Sequence, residues 1–263
     1  MQLTLLEAAL RRDKYIVLGG LTAITLLAWG YLVYLSPGMS KMDSLGEWNA
    51  MAMPGIGVGF GPVQMVLIFL MWAVMMVGMM VPSAAPMILT FANINRRRRE
   101  HGNPYVPTAV FLSGYLLIWA GFSLVATVAQ IALVLAIFGS YSVDSSLIGG
   151  VLLLAAGAFQ LSPLKSVCLR HCRTTMGFIT NDWREGRRGA LLMGLHHGAY
   201  CLGCCWALMG LLFLMGVMNL LWIATLAAFV LLEKVAPAGQ WIGRAAGIGL
   251  IAWGVWLLAG IFL

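Results

Sequence analysis

Most side chains that can bind a soft metal ion or carry out thiol chemistry fall in one part of this chain. All five cysteines and three of the four histidines lie between residues 168 and 205, and His101 is the exception. They form two clusters. The first contains Cys168, His171 and Cys172. The second contains His196, His197, Cys201, Cys204 and Cys205.

The first cluster has the spacing of a single helix face. Positions i, i+3 and i+4 bring Cys168, His171 and Cys172 to the same side of a helix. Two thiolates and one imidazole suit copper(I) or zinc. The neighbouring Arg170 and Arg173 should favour the thiolate form that binds metal.

The second cluster also follows helical spacing, but it is too long for one ion. His197 and Cys204 are about 10 Å apart along a helix, whereas a zinc–sulfur bond is about 2.3 Å. Either neighbours such as His197 and Cys201 bind an ion together with the first cluster, or the helix carries two sites in series. Free cysteine is often only a small buried apolar residue. Histidine within an apolar segment is costly without a partner, which favours function.

Methionine is the third feature, with 17 residues in the chain and 11 of them between Met39 and Met87. Thioether is a soft ligand that forms no disulfides, so it can bind copper(I) in an oxidising compartment. It also fills irregular gaps between helices, so packing is the alternative. The candidate metal path consists of Met39, Met42, Met51 and Met53, followed by Met75, Met76, Met79 and Met80.

The composition predicts that these residues are positioned by membrane helices. The chain is 61% hydrophobic and only 10% charged, whereas soluble domains carry about 25% charged residues. We predict an all-α, polytopic transmembrane helical bundle that forms a single integral membrane domain over residues 1–263. Its seven apolar segments are Tyr15–Leu35, Val63–Phe91, Val106–Phe138, Ser146–Leu161, Ala190–Met215, Asn219–Leu232 and Gly239–Leu263.

Basic residues predict the orientation. With seven spans and a cytoplasmic amino terminus, every Lys and Arg except Lys41 falls on the inner side. The net charge of +7 is therefore a topology signal, and no nucleic-acid reading motif accompanies it. Two connecting segments are long, namely an outer Met-rich loop at 36–62 and an inner Cys/His loop at 162–189.

Three local features carry further expectations. Pro82 and Pro86 predict a break in the second span, because each proline removes an amide donor. Glu233 and Lys234, at the end of the sixth span, are expected to pair with each other or to reach the inner interface. The segment 114–121 predicts close helix packing through its small residues.

Five motifs together are distinctive, namely Met71–Pro86, Gln160–Cys172, Gly203–Met209, Gly216–Leu220 and Glu233–Lys234. Through them the chain resembles an uncharacterised bacterial family described as predicted metal-binding integral membrane proteins, a domain of unknown function associated with copper chaperones. The resemblance covers most of the chain from about residue 60 onward. It implies a bacterial inner membrane location, and Cys168, His171, Cys172, Cys204 and Cys205 as metal ligands.

The leading hypothesis is a membrane protein that binds copper(I) for transfer, insertion or assembly of a copper enzyme, with zinc or haem as the alternative cofactors. Its partners would be the lipid bilayer and a copper-dependent membrane enzyme or metallochaperone, with no nucleic acid. One alternative is a thiol–disulfide electron carrier, and another is a non-catalytic subunit of a larger membrane complex. No hydrolytic triad or nucleotide-binding loop is visible, so an enzyme is the less favoured reading.

Overall fold

The computed structural model describes residues 2–35, 61–100, 106–139, 145–174, 177 and 182–262. Within these ranges the chain is helical and contains no strands. The helices are α1 (Gln2–Leu35), α2 (Pro62–Glu100), α3 (Thr108–Gly139), α4 (Ser145–Leu161), α5 (Pro163–Arg173), α6 (Gly186–Gly210), α7 (Leu212–Met215), α8 (Leu220–Val235) and α9 (Gly239–Phe262).

Five of these helices, α1, α2, α3, α6 and α9, are long and apolar enough to cross a membrane. Helices α4 and α5 add a sixth candidate span if they are taken together, although they are bent by 61° at Ser162. The α8 helix has 16 residues and is about 24 Å long, shorter than the hydrocarbon core of about 30 Å. The all-helical, membrane-type fold is confirmed. The count of seven spans and the cytoplasmic amino terminus stay predictions.

The α2 helix runs without a break through Pro82 and Pro86, so the predicted break is wrong. Pro82 has no amide proton for the carbonyl of Gly78, one turn earlier. The indole Nε1 of Trp29, on α1, donates a hydrogen bond to that carbonyl at 3.2 Å. A neighbouring helix thus satisfies the backbone group that proline leaves open, as transmembrane helices require.

Glycines allow α3 and α6 to approach closely. A side chain at Gly194 would collide with the backbone carbonyl of Phe111, and one at Gly114 would collide with the backbone of α6. The prediction for residues 114–121 is therefore confirmed at its first glycine. It is wrong at Gly121, which has nothing within 4 Å of the position that a Cβ would take. The close approach brings Tyr115 against the cysteine-bearing part of α6.

The remaining helices enclose the same region. The α5 helix packs on α6, and α8 packs on α2. Asn219 caps the start of α8 by accepting hydrogen bonds from the backbone amides of Leu221 and Trp222, at 3.1 and 3.4 Å. Side chains from α2, α3, α5, α6 and α8 consequently meet around the cysteines of α6.

Candidate metal centre

Thiols from two helices meet in the interior of the protein. Cys172, near the end of α5, interacts directly with the thiols of Cys201 and Cys204 on α6. Cys201 and Cys204 are buried, and Cys172 is partly buried. The packing of α5 on α6 therefore joins two cysteine clusters whose contacting members, Cys172 and Cys201, are 29 residues apart in the sequence.

The other two cysteines lie beside this group. Cys205 is buried, and its thiol lies 4.0 Å from the Sδ atom of Met80 on α2. The thiols of Cys204 and Cys205 both donate to the carbonyl oxygen of Cys201, at 3.0 Å each. The sulfur of Cys168 packs against α6 at Gly203, 3.0 Å from where a Cβ atom would stand. All five cysteines are free thiols.

A buried ammonium group stands at the centre of the thiol group. The Nζ atom of Lys234, on α8, donates to the sulfur of Cys201 at 2.8 Å and to the hydroxyl of Ser83 at 3.0 Å. The hydroxyl of Tyr115 lies 3.2 Å from the same sulfur and donates to the carbonyl oxygen of Met80 at 3.1 Å. Cys201 is thus contacted by polar groups from α3 and α8 as well as by the thiol from α5.

This arrangement corrects the expectation that Arg170 and Arg173 favour the thiolate form of the cysteines. Arg173 donates to the backbone carbonyls of Ala236 and Pro237, and Arg170 is exposed, so neither is the cation at the thiols. Lys234 has that position. Its place in the sequence, 29 residues beyond Cys205, gave no signal of a contact, because only the packing of α8 on α2 brings it there.

Glu233 faces a different partner from the one predicted. Its carboxylate pairs with the ammonium of Lys165 at 2.6 Å, and both side chains are buried. The Nε2 atom of Gln160 donates to the same carboxylate at 3.3 Å. These three residues line a polar cavity of about 220 Å³ together with Gln240 and Arg244. Glu233 and Lys234 therefore contact different partners, Lys165 on α5 and Cys201 on α6.

The histidines do not act as one set. The ring of His171 stacks on Tyr200 with centroids 4.5 Å apart, and its Nδ1 lies 3.0 Å from the carbonyl oxygen of Val167. His196 is exposed and lies 3.9 Å from the carboxylate of Asp182. His197 is buried, and its ring stacks at 5.7 Å on Tyr115. Adjacent positions on α6 thus point His196 away from the thiols and His197 toward the interior.

The methionines of α2 form a buried column. Met75, Met76, Met79 and Met80 are each at most 1% exposed. Met80 is the member of this column whose sulfur lies 4.0 Å from the thiol of Cys205. Met39, Met42, Met51 and Met53 lie outside the described residues. Burial of the column agrees equally with packing and with a ligand role, so the metal path stays a prediction.

The arrangement of the thiols fits copper(I), which two thiolates can bind, better than zinc, which needs four ligands in a structural site. Within the described part of the chain, no three Cys, His, Asp or Glu side chains already stand in an arrangement that would hold a metal ion. Thiols in pairs are present, between Cys172 and each of Cys201 and Cys204. Structural zinc requires four ligands at tetrahedral positions, whereas two thiolates suffice for copper(I), a soft ion that thiolates select.

A family model described as a copper chaperone family, PpoB2, matches residues 69–257. The chain belongs to this PpoB2 family. The match includes every helix that contributes to the thiol group, and it confirms the resemblance seen in the sequence. Membership in the PpoB2 family indicates a role related to copper. No curated protein and no solved structure matches the chain.

Proposed function

We propose that this protein binds copper(I) within the bacterial inner membrane and passes it on for insertion into a copper enzyme. The ligands would be Cys201 and one of the two neighbouring thiols, Cys172 or Cys204. Cys168, His171, His197, Cys205 and Met80 would serve as neighbouring donors while the ion moves. His196 is left out, because its side chain is exposed and turned toward Asp182.

One observation carries this proposal. The thiol of Cys172 reaches the thiols of Cys201 and Cys204 from another helix, in the buried interior of the protein. Cysteines that only fill space need no such contact with one another. Sulfur donors that converge inside a member of a copper chaperone family are the expected chemistry for copper(I).

The location of the thiols also suits transfer. Cys172 lies on the short helix α5, which follows the bend at Ser162 and ends at Arg173. With the proposed seven-span topology, this end of α5 faces the cytoplasm, where thiols stay reduced. A copper-dependent enzyme or a metallochaperone would then exchange copper(I) at this end of α5, where the residues Cys168 and Cys172 are both only partly buried.

The proposal is tested by metal content. We expect the protein, purified in detergent under reducing conditions, to contain copper by elemental analysis. It should also compete for copper(I) with a chromophoric chelator. The double variant Cys172→Ser with Cys201→Ser should lose most of this copper, because a hydroxyl is a poor ligand for a soft ion.

Cys168→Ser provides the matched control, since it removes a thiol one turn earlier on α5 that packs against Gly203. It should keep more copper than the double variant. Equal copper in the double variant and the wild-type protein would overturn the proposal. Zinc found in place of copper would support the same ligands with a different ion. A haem absorption band would instead indicate that histidines bind the cofactor.

A thiol–disulfide electron carrier is the second candidate, and the same contact favours it. Cys172 lies beside Cys201 and Cys204, so a disulfide would join α5 to α6. Differential alkylation distinguishes the two. A carrier would show a reversible Cys172 disulfide in metal-free protein, whereas a copper protein would show thiols that copper(I) protects from the alkylating reagent.

A further inference from the structure

The position of Lys234 is unusual for a buried lysine. Its Nζ atom contacts sulfur and hydroxyl groups, at 2.8 Å from Cys201 and 3.0 Å from Ser83. Within the described residues, Lys234 makes no ion pair with a carboxylate. The adjacent Glu233 is paired with Lys165 at 2.6 Å.

Burial of an ammonium group in an apolar interior is costly unless a negative charge compensates it. The groups around Lys234 are the thiols of Cys172, Cys201, Cys204 and Cys205, the hydroxyls of Ser83 and Tyr115, and the carboxylate of the adjacent Glu233. The charge of Glu233 is already compensated by Lys165 at 2.6 Å, and none of the other groups carries a permanent negative charge. The missing charge must therefore come from something that forms at the thiols.

Copper(I) bound by two thiolates supplies that charge. One positive ion and two thiolates have a net charge of −1, and in a low-dielectric interior such an anion is poorly stable by itself. An ammonium group in contact with one of the two sulfurs brings the total to zero. A sulfur that binds copper can still accept a hydrogen bond, so Lys234 need not move when the ion binds.

We infer that Lys234 is the built-in counter-ion of an anionic copper(I) bis-thiolate formed by Cys201 with Cys172 or Cys204. It is a positioning residue, because it contacts a ligand sulfur and not the ion. Lys234 thereby sets how tightly copper(I) is held and how many thiolates bind it. This inference rests on the proposed function.

Two substitutions separate its charge from its hydrogen bonds. Lys234→Gln keeps a donor toward Cys201 and Ser83 but removes the charge, whereas Lys234→Arg keeps the charge. Loss of a group that supports a ligand typically lowers metal affinity about 10- to 100-fold. We expect a loss of that size in Lys234→Gln and near wild-type affinity in Lys234→Arg, measured by competition with a chromophoric copper(I) chelator.

X-ray absorption of the copper(I)-loaded protein measures the number of sulfur ligands, which would not change if Lys234 had a purely structural role. The wild-type protein and Lys234→Arg should show two sulfur ligands, and Lys234→Gln should show fewer. The control is the double variant Lys165→Met with Glu233→Gln, which removes the other buried lysine and its carboxylate together. It should bind copper(I) as the wild-type protein does.

Unchanged affinity and unchanged sulfur coordination in Lys234→Gln would overturn the inference and leave the proposed function standing. Wild-type protein that fails to bind copper(I) would overturn both. If Lys234→Gln does not accumulate as folded protein, Lys234→Leu provides the same comparison. That variant removes the charge and the donor and adds no ligand for copper(I).

Discussion

At the scale of single residues, neighbouring positions in the sequence have opposite environments. His196 is exposed beside Asp182, whereas His197 is buried against Tyr115. Glu233 and Lys234 likewise face different partners, a lysine and a cysteine. The sequence identified all four as residues of interest, but their roles depend on which side of the helix meets a neighbour.

The two adjacent histidines allow a direct comparison of stability. We expect His197→Ala to lower the free energy of unfolding by about 1–3 kcal/mol, because it leaves a cavity beside Tyr115 and Phe111. His196→Ala removes only an exposed pair and should change it by less than about 0.5 kcal/mol. Denaturant unfolding of the metal-free protein in detergent would measure both. Equal effects would contradict the burial difference.

At the scale of elements, the α2 helix shows how tertiary contacts override local sequence. Its two prolines predict a break, yet the helix continues because α1 supplies a donor for the carbonyl of Gly78. The unbroken helix keeps Met80 and Ser83 on the side that faces α6 and α8. A break at Pro82 would separate these two residues from the thiols that they contact.

A double-mutant cycle tests this compensation. Trp29→Phe removes the indole donor and should destabilise the protein by about 1 kcal/mol, since the carbonyl of Gly78 loses its partner. In a Pro82→Ala background the amide of the alanine can donate to the carbonyl of Gly78. Trp29→Phe should therefore lower the free energy of unfolding by less in that background. The difference between the two costs is the coupling energy. Additive costs would mean that Trp29 acts only through packing.

At the scale of the whole molecule, the buried lysine and glutamate side chains of the described residues lie where α5, α6 and α8 come together. The Lys165–Glu233 pair and the Lys234–Cys201 contact lie there. Ionisable groups inside a membrane protein are costly and usually mark a functional site. Their placement next to the thiols agrees with the copper-related role of the family.

The seven-span topology makes a prediction about the two sides of the membrane. Alkaline phosphatase, which is active only outside the cytoplasm, should be inactive when fused after Arg99 and active when fused after Leu263. The first site follows the arginine run that the basic-residue pattern assigns to the cytoplasm. Activity in both fusions would overturn the proposed orientation. Inactivity in both would instead fit six spans.

The sequence by itself determined the class of the protein. Its apolar composition leaves helices as the way to satisfy the backbone in lipid, and the sulfur-rich motifs between residues 69 and 257 determined the family. Helical spacing correctly grouped Cys201, Cys204 and Cys205 on the buried side of α6. Such properties are local, because they depend on residues within a few turns of one another.

Only the tertiary structure decided which residues meet. Cys172 reaches Cys201 because α5 packs on α6, and Lys234 reaches the same sulfur because α8 packs on α2. These contacts join positions that are 29 and 33 residues apart. No periodicity relates such positions, since the separation is set by the lengths of the connections and by which glycines let helices approach. The sequence pattern therefore could not predict that Lys234 contacts the thiols, because only the packing of the helices brings it there.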